Sequence, residues 1–540
     1  MNKHRTAEFT RRSFLAGSAL ALAGVAGAGL SACSAPTSEG RAQQEGTWDE
    51  EYDVVVVGAG IAGLAAAIAV TEESADASCL LIEKGDAPSG NSPFSGGACF
   101  YTDDPEGLAA YLKELNGNHN ATPDDVLDAF AQESAGNLDW ILGLGANPEE
   151  MYIGVPGSKE NPTASGAEYP ELEHSYAFGS FQLGYREDGQ ELEGPKHVFD
   201  FLLQQVQNRS DRITYKTSCA LQELVTDEAG RVSGVVAGKK SERFAARKGV
   251  IMCCGGFESN PTMMQDYLNQ GAALPAAGAT NTGDGHRACM KIGADLWHMN
   301  SCAGFWMAPR DNDNTAFTWS AIPYPWPKEH GITVGINGRR YYMDYDCVTS
   351  YFGGEYRSDM SLAVGCKHGH QQFGGEWPTL PMPSKSFFVF DQNGFDAGAV
   401  PEATLASANQ ETLYYSADSI ADLAQAIGVP AEELETTVQQ WNECCASGKD
   451  VYFHRPEKTL APIDTPPFYA QLCIPTFLNT DGGPRRNARG QILSVSGDPI
   501  EGLYSAGEFG SVWGHLYQGA GNIAECIAFG RISARSAVQS

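Results

Sequence analysis

Positive charge is scarce in this sequence: 36 Lys and Arg stand against 67 Asp and Glu, a formal net charge of −31. A field of that sign repels phosphate backbones and anionic lipid, so nucleic acid is not expected as a partner and charge alone would not hold the chain to a membrane. Fourteen cysteines are present, yet neither Cys-x-x-Cys nor Cys-x-x-Cys-His occurs, so no zinc site, no haem attachment and no other metal centre is expected. Cys253-Cys254 and Cys444-Cys445 are adjacent, a spacing that bridges only with strain, and they read as buried thiols. Beyond about residue 30 no apolar run has the length of a bilayer-spanning helix.

What is present is a chain of 540 residues, too long for one core, with 61 glycines and 42% hydrophobic residues, as in a soluble α/β protein of two or more lobes. Arg11-Arg12-Ser13-Phe14-Leu15 follows a basic start and precedes an apolar stretch running to about Leu30, and the whole resembles a twin-arginine export signal. That route carries folded proteins, which implies cofactor uptake before export. Leu30-Ser31-Ala32-Cys33 resembles a lipobox with Cys33 as the lipidated residue; the alternative is an ordinary signal cleaved at small residues. Residues 1–33 thus read as signal and lipobox, and 34–50 as a polar tether. The implied address is the extracytoplasmic face of the cell membrane, held by a lipid anchor only, or the periplasm.

Informative chemistry opens at Tyr52. Asp53 and the run Val54 to Val57 read as a buried parallel strand feeding Gly58-Ala59-Gly60-Ile61-Ala62-Gly63, and Leu64 to Val70 continue as an apolar helix. Gly58 permits the tight turn, Gly60 lets a pyrophosphate approach the backbone, and Gly63 lets the helix pack on the strand, with Ala62 on the helix's first turn and its amides facing the phosphates. A second strand, Cys79 to Ile82, ends in Glu83, twenty residues after Gly63, the type and distance that bind a ribose hydroxyl. The glycines alone are a weak signal, but strand, glycines, helix, strand and acid together predict a Rossmann-type dinucleotide site.

Lys84 and then Gly90-Asn91-Ser92-Pro93-Phe94-Ser95-Gly96-Gly97 follow, a segment too rich in small residues for a core helix and suited to wrapping a planar cofactor. Glu83-Lys84 with this segment resembles the flavin-binding signature of the fumarate reductase flavoprotein and 3-ketosteroid dehydrogenase superfamily, which binds FAD and not NAD. Val250 to Phe257, with Gly255-Gly256, resembles the family's strand-and-diglycine motif; Thr282-Gly283-Asp284-Gly285 its flavin-proximal turn; and Gly502-Leu503-Tyr504-Ser505-Ala506-Gly507-Glu508 its returning strand. The resemblance covers nearly all of residues 51–540. It implies non-covalent FAD in an α/β, Rossmann-type domain (51–300 and 468–540) interrupted by an α+β capping domain (301–467), with substrate between them. It also implies that Glu508 reaches FAD hydroxyls and that a helix opening near Asn522-Ile523 aims its amides at the flavin N1–O2 edge.

The sequence departs from fumarate reductase in its catalytic pieces. That enzyme carries Gly-x-Arg-Phe-x-Asn-Glu and, four residues on, a proton-donating Arg; here Gly338-Arg339-Arg340-Tyr341-Tyr342-Met343-Asp344 is followed at that distance by Val348. The family's dicarboxylate-binding His and Arg fall near Phe305 and at Gln518. A dianion would lack its clamps. Instead, Gly514-His515-Leu516-Tyr517-Gln518-Gly519-Ala520-Gly521 is similar to the Gly-His-x-Tyr-Pro-Gly-x-Gly segment of 3-ketosteroid dehydrogenases, in which a Tyr hydroxyl and a Gly amide hold the substrate ketone. Carried over, Tyr517 and Gly521 would polarise a carbonyl and stabilise the enolate.

Gln518 replaces the family Pro, and Val348 also occupies the place of the dehydrogenases' cap Tyr. Tyr345 and Tyr351 are the nearest proton-handling candidates, with Arg357 and Arg310 behind them. His515 is a candidate to orient Tyr517 or touch the flavin, while His298 beside Trp297 reads as a packing residue. Residues 305–390 hold 17 aromatics in 86 positions, which suits a bulky apolar substrate as well as an aromatic core.

The expected reaction is hydride exchange between flavin N5 and a carbon conjugated to a carbonyl, reducing an exogenous enone with electrons from a membrane or periplasmic donor such as a cytochrome. The alternatives are a 3-ketosteroid-type dehydrogenase forming the alkene, a fumarate- or urocanate-type carboxylate reductase, and a non-catalytic flavin relay.

Overall fold

The runs Val54 to Val57 and Cys79 to Ile82 are apolar at every position, which suits strands covered on both faces. In the computed structural model, β1 (Glu50–Val57) and β2 (Cys79–Ile82) pair in parallel, Val57 opposite Ile82, with every side chain of both runs buried. Helix α1 (Ile61–Glu73) crosses between them and is buried from Ile61 to Thr71. The parallel sheet runs in the order β3 (Ile213–Lys216), β2, β1, β4 (Glu242–Met252), β5 (Pro499–Ser505). Gln491–Leu493 adds an antiparallel edge beside β5, and the hairpin of Leu221–Thr226 and Val232–Ala237 extends from β4. This is the α/β architecture that the sequence predicts.

The structure describes residues 47–88, 90–117, 122–159, 166–167, 169, 172–184, 197–303, 308–309, 330–341, 375–376, 385–398, 414–455 and 457–540, and Thr47–Ser540 forms one unit. The Arg11-Arg12 leader, Cys33 and most of the tether lie outside the described residues, as do Arg310, Tyr345, Val348, Tyr351 and Arg357. Of the two adjacent pairs, Cys253 and Cys444 are buried and Cys254 and Cys445 partly so, and all four are free thiols. No described helix is long and apolar enough to cross a membrane.

Helix α2 (Gly521–Val538) packs on α1 because small residues let the backbones meet. A Cβ on Gly530 would stand 3.0 Å from Ala65 Cβ and 3.1 Å from Ala62 O. Because β1, β2, β4 and β5 are parallel, their C-terminal ends open on one edge of the sheet, and Gly58, Glu83, Cys253 and Ala506 follow them there. Ligands of open α/β sheets bind along that edge.

A second, antiparallel sheet joins Gly331–Gly335, Ser386–Phe390 and Phe468–Ile474, with Ala308–Pro309 and Tyr414–Ala417 both paired to Phe468–Ile474. Helices Ile420–Ile427 and Ala431–Ser447 cover it through Leu423, Leu434 and Trp441, which bury against Ile332, Val334, Phe387 and Val389. Phe468–Ile474, which the sequence reading assigns to the returning part of the FAD domain, is thus a central strand of this sheet, and the chain rejoins the parallel sheet at Gln491. An apolar strand's composition does not say which sheet it joins, because cross-strand neighbours decide that.

Candidate active site and cofactor cleft

Two glycines shape the turn after β1. Gly58, at φ +102°, donates its N–H to Ile82 O (2.8 Å), and a Cβ there would lie 2.2 Å from Cys253 O. A Cβ on Gly63 would lie 1.8 Å from Gly58 O, so that glycine sits beneath the turn and lets α1 press against it. Gly60 precedes α1 and supplies no side-chain cap, while Ile61 N–H donates to Ser92 Oγ (3.0 Å). Glu83 accepts from Ala59 N–H (3.0 Å) and Gly85 N–H (2.9 Å), which fixes its carboxylate at the end of β2. A carboxylate has acceptor positions beyond these two.

Gly58, Gly60, Ala62, Glu83, Lys84, Asn91, Ser92, Gly255, Asp284 and Glu508 line one cleft, a concave setting of the kind that holds small molecules. Lys84 and Asp284 meet as an ion pair at 2.7 Å, with Thr282 Oγ1 2.9 Å from Lys84 Nζ. Burial pushes the Asp284 carboxyl up, but Lys84, Thr282 and Arg287 outweigh it and hold it below the usual range. The pair pins the 282–285 turn against β2.

The remaining cofactor candidates are not among the residues that line this cleft. Ser95 Oγ donates to Ser92 O (2.9 Å), Gly96 O accepts from Gln182, and Gly97, at φ +75°, packs on His197, whose ring also reaches Ser95 O (2.9 Å). A Cβ on Gly256 would lie 2.3 Å from Thr480 Oγ1. Asn522 and Ile523 occupy the first turn of α2.

Sequence reasoning missed a group of buried carboxyls beside Glu508. Asn91 Nδ2 donates to Glu258 Oε1 (2.8 Å) and reaches Glu508 Oε2 (3.4 Å), and Asn281 Nδ2 also donates to Glu258 Oε1 (2.6 Å). Asp481, 1% exposed, accepts from Asn479 Nδ2 (3.1 Å). Burial, first, and the neighbouring carboxyls push Glu508 and Asp481 well above the usual carboxylate range; burial raises Glu258 too, against its hydrogen bonds. The available signal was position: Glu258 directly follows Gly255-Gly256-Phe257, and Asp481 precedes Gly482-Gly483.

The loop before α2 forms a second corner. Tyr517 is buried, with Trp513 edge-on at 5.2 Å, and Asn522 N–H is directed at its hydroxyl at 3.5 Å. Gly521 N–H donates to Gln518 O (3.0 Å), while the amide directed at the Tyr517 hydroxyl is that of Asn522. Gly521 serves packing instead: a Cβ would lie 2.2 Å from Trp513 Cζ2. Ala520, at φ +66°, turns the chain into α2 without a side-chain cap. Gln518, in place of the family Pro, accepts from Tyr111 O–H (2.7 Å) and donates to Gly166 O (3.3 Å). His515 is buried in the same loop.

His298 stacks on Trp297 at 4.4 Å and engages Ser511 O (2.7 Å) and Thr122 Oγ1 (3.3 Å), a packing residue with both ring nitrogens placed. In the capping motif, Arg339 pairs with Glu433 (2.7 Å) and the buried Arg340 with Asp450 (2.9 Å).

A family model described as FAD binding domain matches residues 53–523. The chain belongs to this FAD-binding family. FAD is its cofactor, and it is an FAD-dependent oxidoreductase. It is 27% identical to 3-oxosteroid 1-dehydrogenase of Mycobacterium tuberculosis over 90% of this chain and 98% of that one. It is 28% identical to digoxin reductase of Eggerthella lenta over 97% and 96%. In fold it is similar to 3-ketosteroid Δ1-dehydrogenase of Sterolibacterium denitrificans in complex with 1,4-androstadiene-3,17-dione: TM-score 0.70, 21% identity, 91% of this chain and 100% of that one.

The cleft suits this cofactor. Gly60 brings no side chain of its own to the start of α1, which leaves room for pyrophosphate there, and Glu83 offers a fixed carboxylate for ribose hydroxyls. Asn91, Ser92 and Glu508 extend the polar wall from there. Among the described residues no cluster of His, Cys and carboxylates is arranged to hold a metal ion.

Proposed function

We propose that the chain is an exported, lipid-anchored FAD enzyme that reduces a carbon–carbon double bond conjugated to a carbonyl in an exogenous small molecule, using electrons from a separate membrane or periplasmic carrier such as a cytochrome. Bound FAD supplies the hydride chemistry. The observation that carries the reading is the neutral polar corner at the start of α2, where the Tyr517 hydroxyl lies 3.5 Å from Asn522 N. A hydroxyl backed by a helix N-terminus binds and polarises a carbonyl oxygen and stabilises the negative charge that grows there.

A dicarboxylate substrate would need cations, and the arginines at α2 are engaged: Arg486 by Glu525, Arg531 by Glu133. Trp513 and Trp297 give the loop an aromatic setting that favours a ring system over a small acid. Proton delivery falls to a cap residue, with Tyr345 and Tyr351 as candidates. The test is anaerobic: chemically reduced protein is mixed with a panel of α,β-unsaturated ketones, acids and amides, and flavin reoxidation is followed. Reoxidation by an enone is expected; a flavin that stays bleached with every compound would overturn the reading.

A second reading, dehydrogenation toward the alkene, is favoured by the 27% identity to 3-oxosteroid 1-dehydrogenase. A saturated ketosteroid that bleaches oxidised FAD would select it. Lipid anchoring is tested separately, since Cys33→Ser should move the protein from the membrane to the soluble fraction, and unchanged fractionation would remove the anchor from the account.

A further inference from the structure

One amide nitrogen holds two carboxyls, Glu508 in the cleft wall and Glu258 behind it. Asn91 Nδ2 stands 2.8 Å from Glu258 Oε1 and 3.4 Å from Glu508 Oε2. Around Glu258 the other partners are the Asn281 amide and the Thr480 hydroxyl, both neutral. Glu508 is faced by Asn91, by the carboxyls of Glu258, Asp481 and Glu525, and by the Cys526 thiol. Asp481 is faced by Asn479, Glu525 and Glu258, and its Oδ2 is buried without a hydrogen-bond partner. Two cations stand at this edge: Lys84, paired with Asp284, and Arg486, fully buried and paired with Glu525, which also accepts from Ser511 Oγ (2.7 Å) and Val512 N–H (2.9 Å).

Glu508 lines the same cleft as Gly60, at which the pyrophosphate of the cofactor would bring further negative charge. Like charges within one desolvated group cannot all stay ionised, and an unpaired buried carboxylate oxygen is costly. A proton relieves both conditions: –COO⁻ and H⁺ give –COOH, with no other reactant.

We propose that Glu258, Glu508 and Asp481 form a proton site coupled to the cofactor, so that FAD docks with uptake of one proton into the cluster and is released as the pH rises. The inference rests on FAD binding and not on the proposed substrate. The upward displacement of all three carboxyls, caused first by burial, supports it. The geometry points to Glu508 as the residue that senses the cofactor, because it faces the cleft while Asp481 and Glu258 lie behind it.

The experiment is FAD affinity against pH, read from the fluorescence of released FAD at equilibrium with full-length protein. One proton taken up per FAD predicts a Kd that rises about tenfold per pH unit on the alkaline side. Glu508→Gln and Asp481→Asn, shaped alike but unable to titrate, should flatten that slope. If these variants misfold, calorimetry of FAD binding to the unaltered protein in two buffers of different ionisation heat counts the protons directly, and about one is expected. A pH-independent Kd with no proton uptake overturns the inference and leaves the substrate reading standing. A slope kept in both variants overturns the assignment to this cluster. Failure to bind FAD at all would overturn both.

Discussion

Glu83, which we propose holds a ribose of the cofactor, is fixed at the end of β2 by two backbone donors, Ala59 N–H and Gly85 N–H. Glu83→Ala removes a charged acceptor and leaves those amides without their partner. Hydrogen bonds to charged groups are worth about 1.5–3 kcal/mol, so FAD affinity should fall roughly 10- to 100-fold in a fluorescence titration. An unchanged Kd would mean that Glu83 holds only the loop.

This residue was legible in the sequence because its neighbours in space, the turn and β2, lie within about thirty residues of one another. Glu258, Asn281 and Asp481 were not: their partners come from up to 222 positions away, as in Thr480 with Glu258, and no local pattern encodes such a meeting. Gln518 shows the same limit. It could be seen to replace a Pro, yet only the fold shows Tyr111, 407 positions away, donating to it.

Between elements, α1 and α2 meet closely at Gly530 and Ala65. A side chain at Gly530 must push the helices apart, and with them the amides at the start of each. Gly530→Val should lower stability by about 2–3 kcal/mol in chemical denaturation, together with weaker FAD retention. Stability within experimental error of the unaltered protein would show that the helices can separate freely. β1, α1 and β2 were legible from uninterrupted apolar runs and the glycines between them, β4, β5 and the start of α2 from the family resemblance, and β3 was not read. The second sheet was less so, since Phe468–Ile474 reads as a strand but finds its partners in Ser386–Phe390 and Tyr414–Ala417.

Across the whole molecule, buried titratable groups set the pH range of the fold from both sides. His286, fully buried, is pushed down to about 4 by burial, while an exposed histidine titrates near 6.5. The unfolded chain therefore binds the proton first, and stability is lost as the pH falls from about 6.5 toward 4, by about 3 kcal/mol. Glu258, Glu508 and Asp481 are displaced upward, so their contribution is fully present below about pH 4 and is lost as the pH rises through their folded values. Denaturation midpoints measured across pH should show His286→Gln flattening the acid limb and Asp481→Asn the alkaline one. A profile that neither substitution alters would contradict this assignment.

The central claim is that the Tyr517 corner holds a substrate carbonyl while the cofactor cleft supplies the electrons. Single-turnover reoxidation of the reduced, FAD-loaded protein by an enone that it accepts, in the unaltered chain and in Tyr517→Phe, tests it most directly. Both proteins should be yellow when oxidised, and the variant should reoxidise about 100-fold more slowly, the usual loss for one carbonyl-stabilising donor. Equal rates in the two would contradict the account.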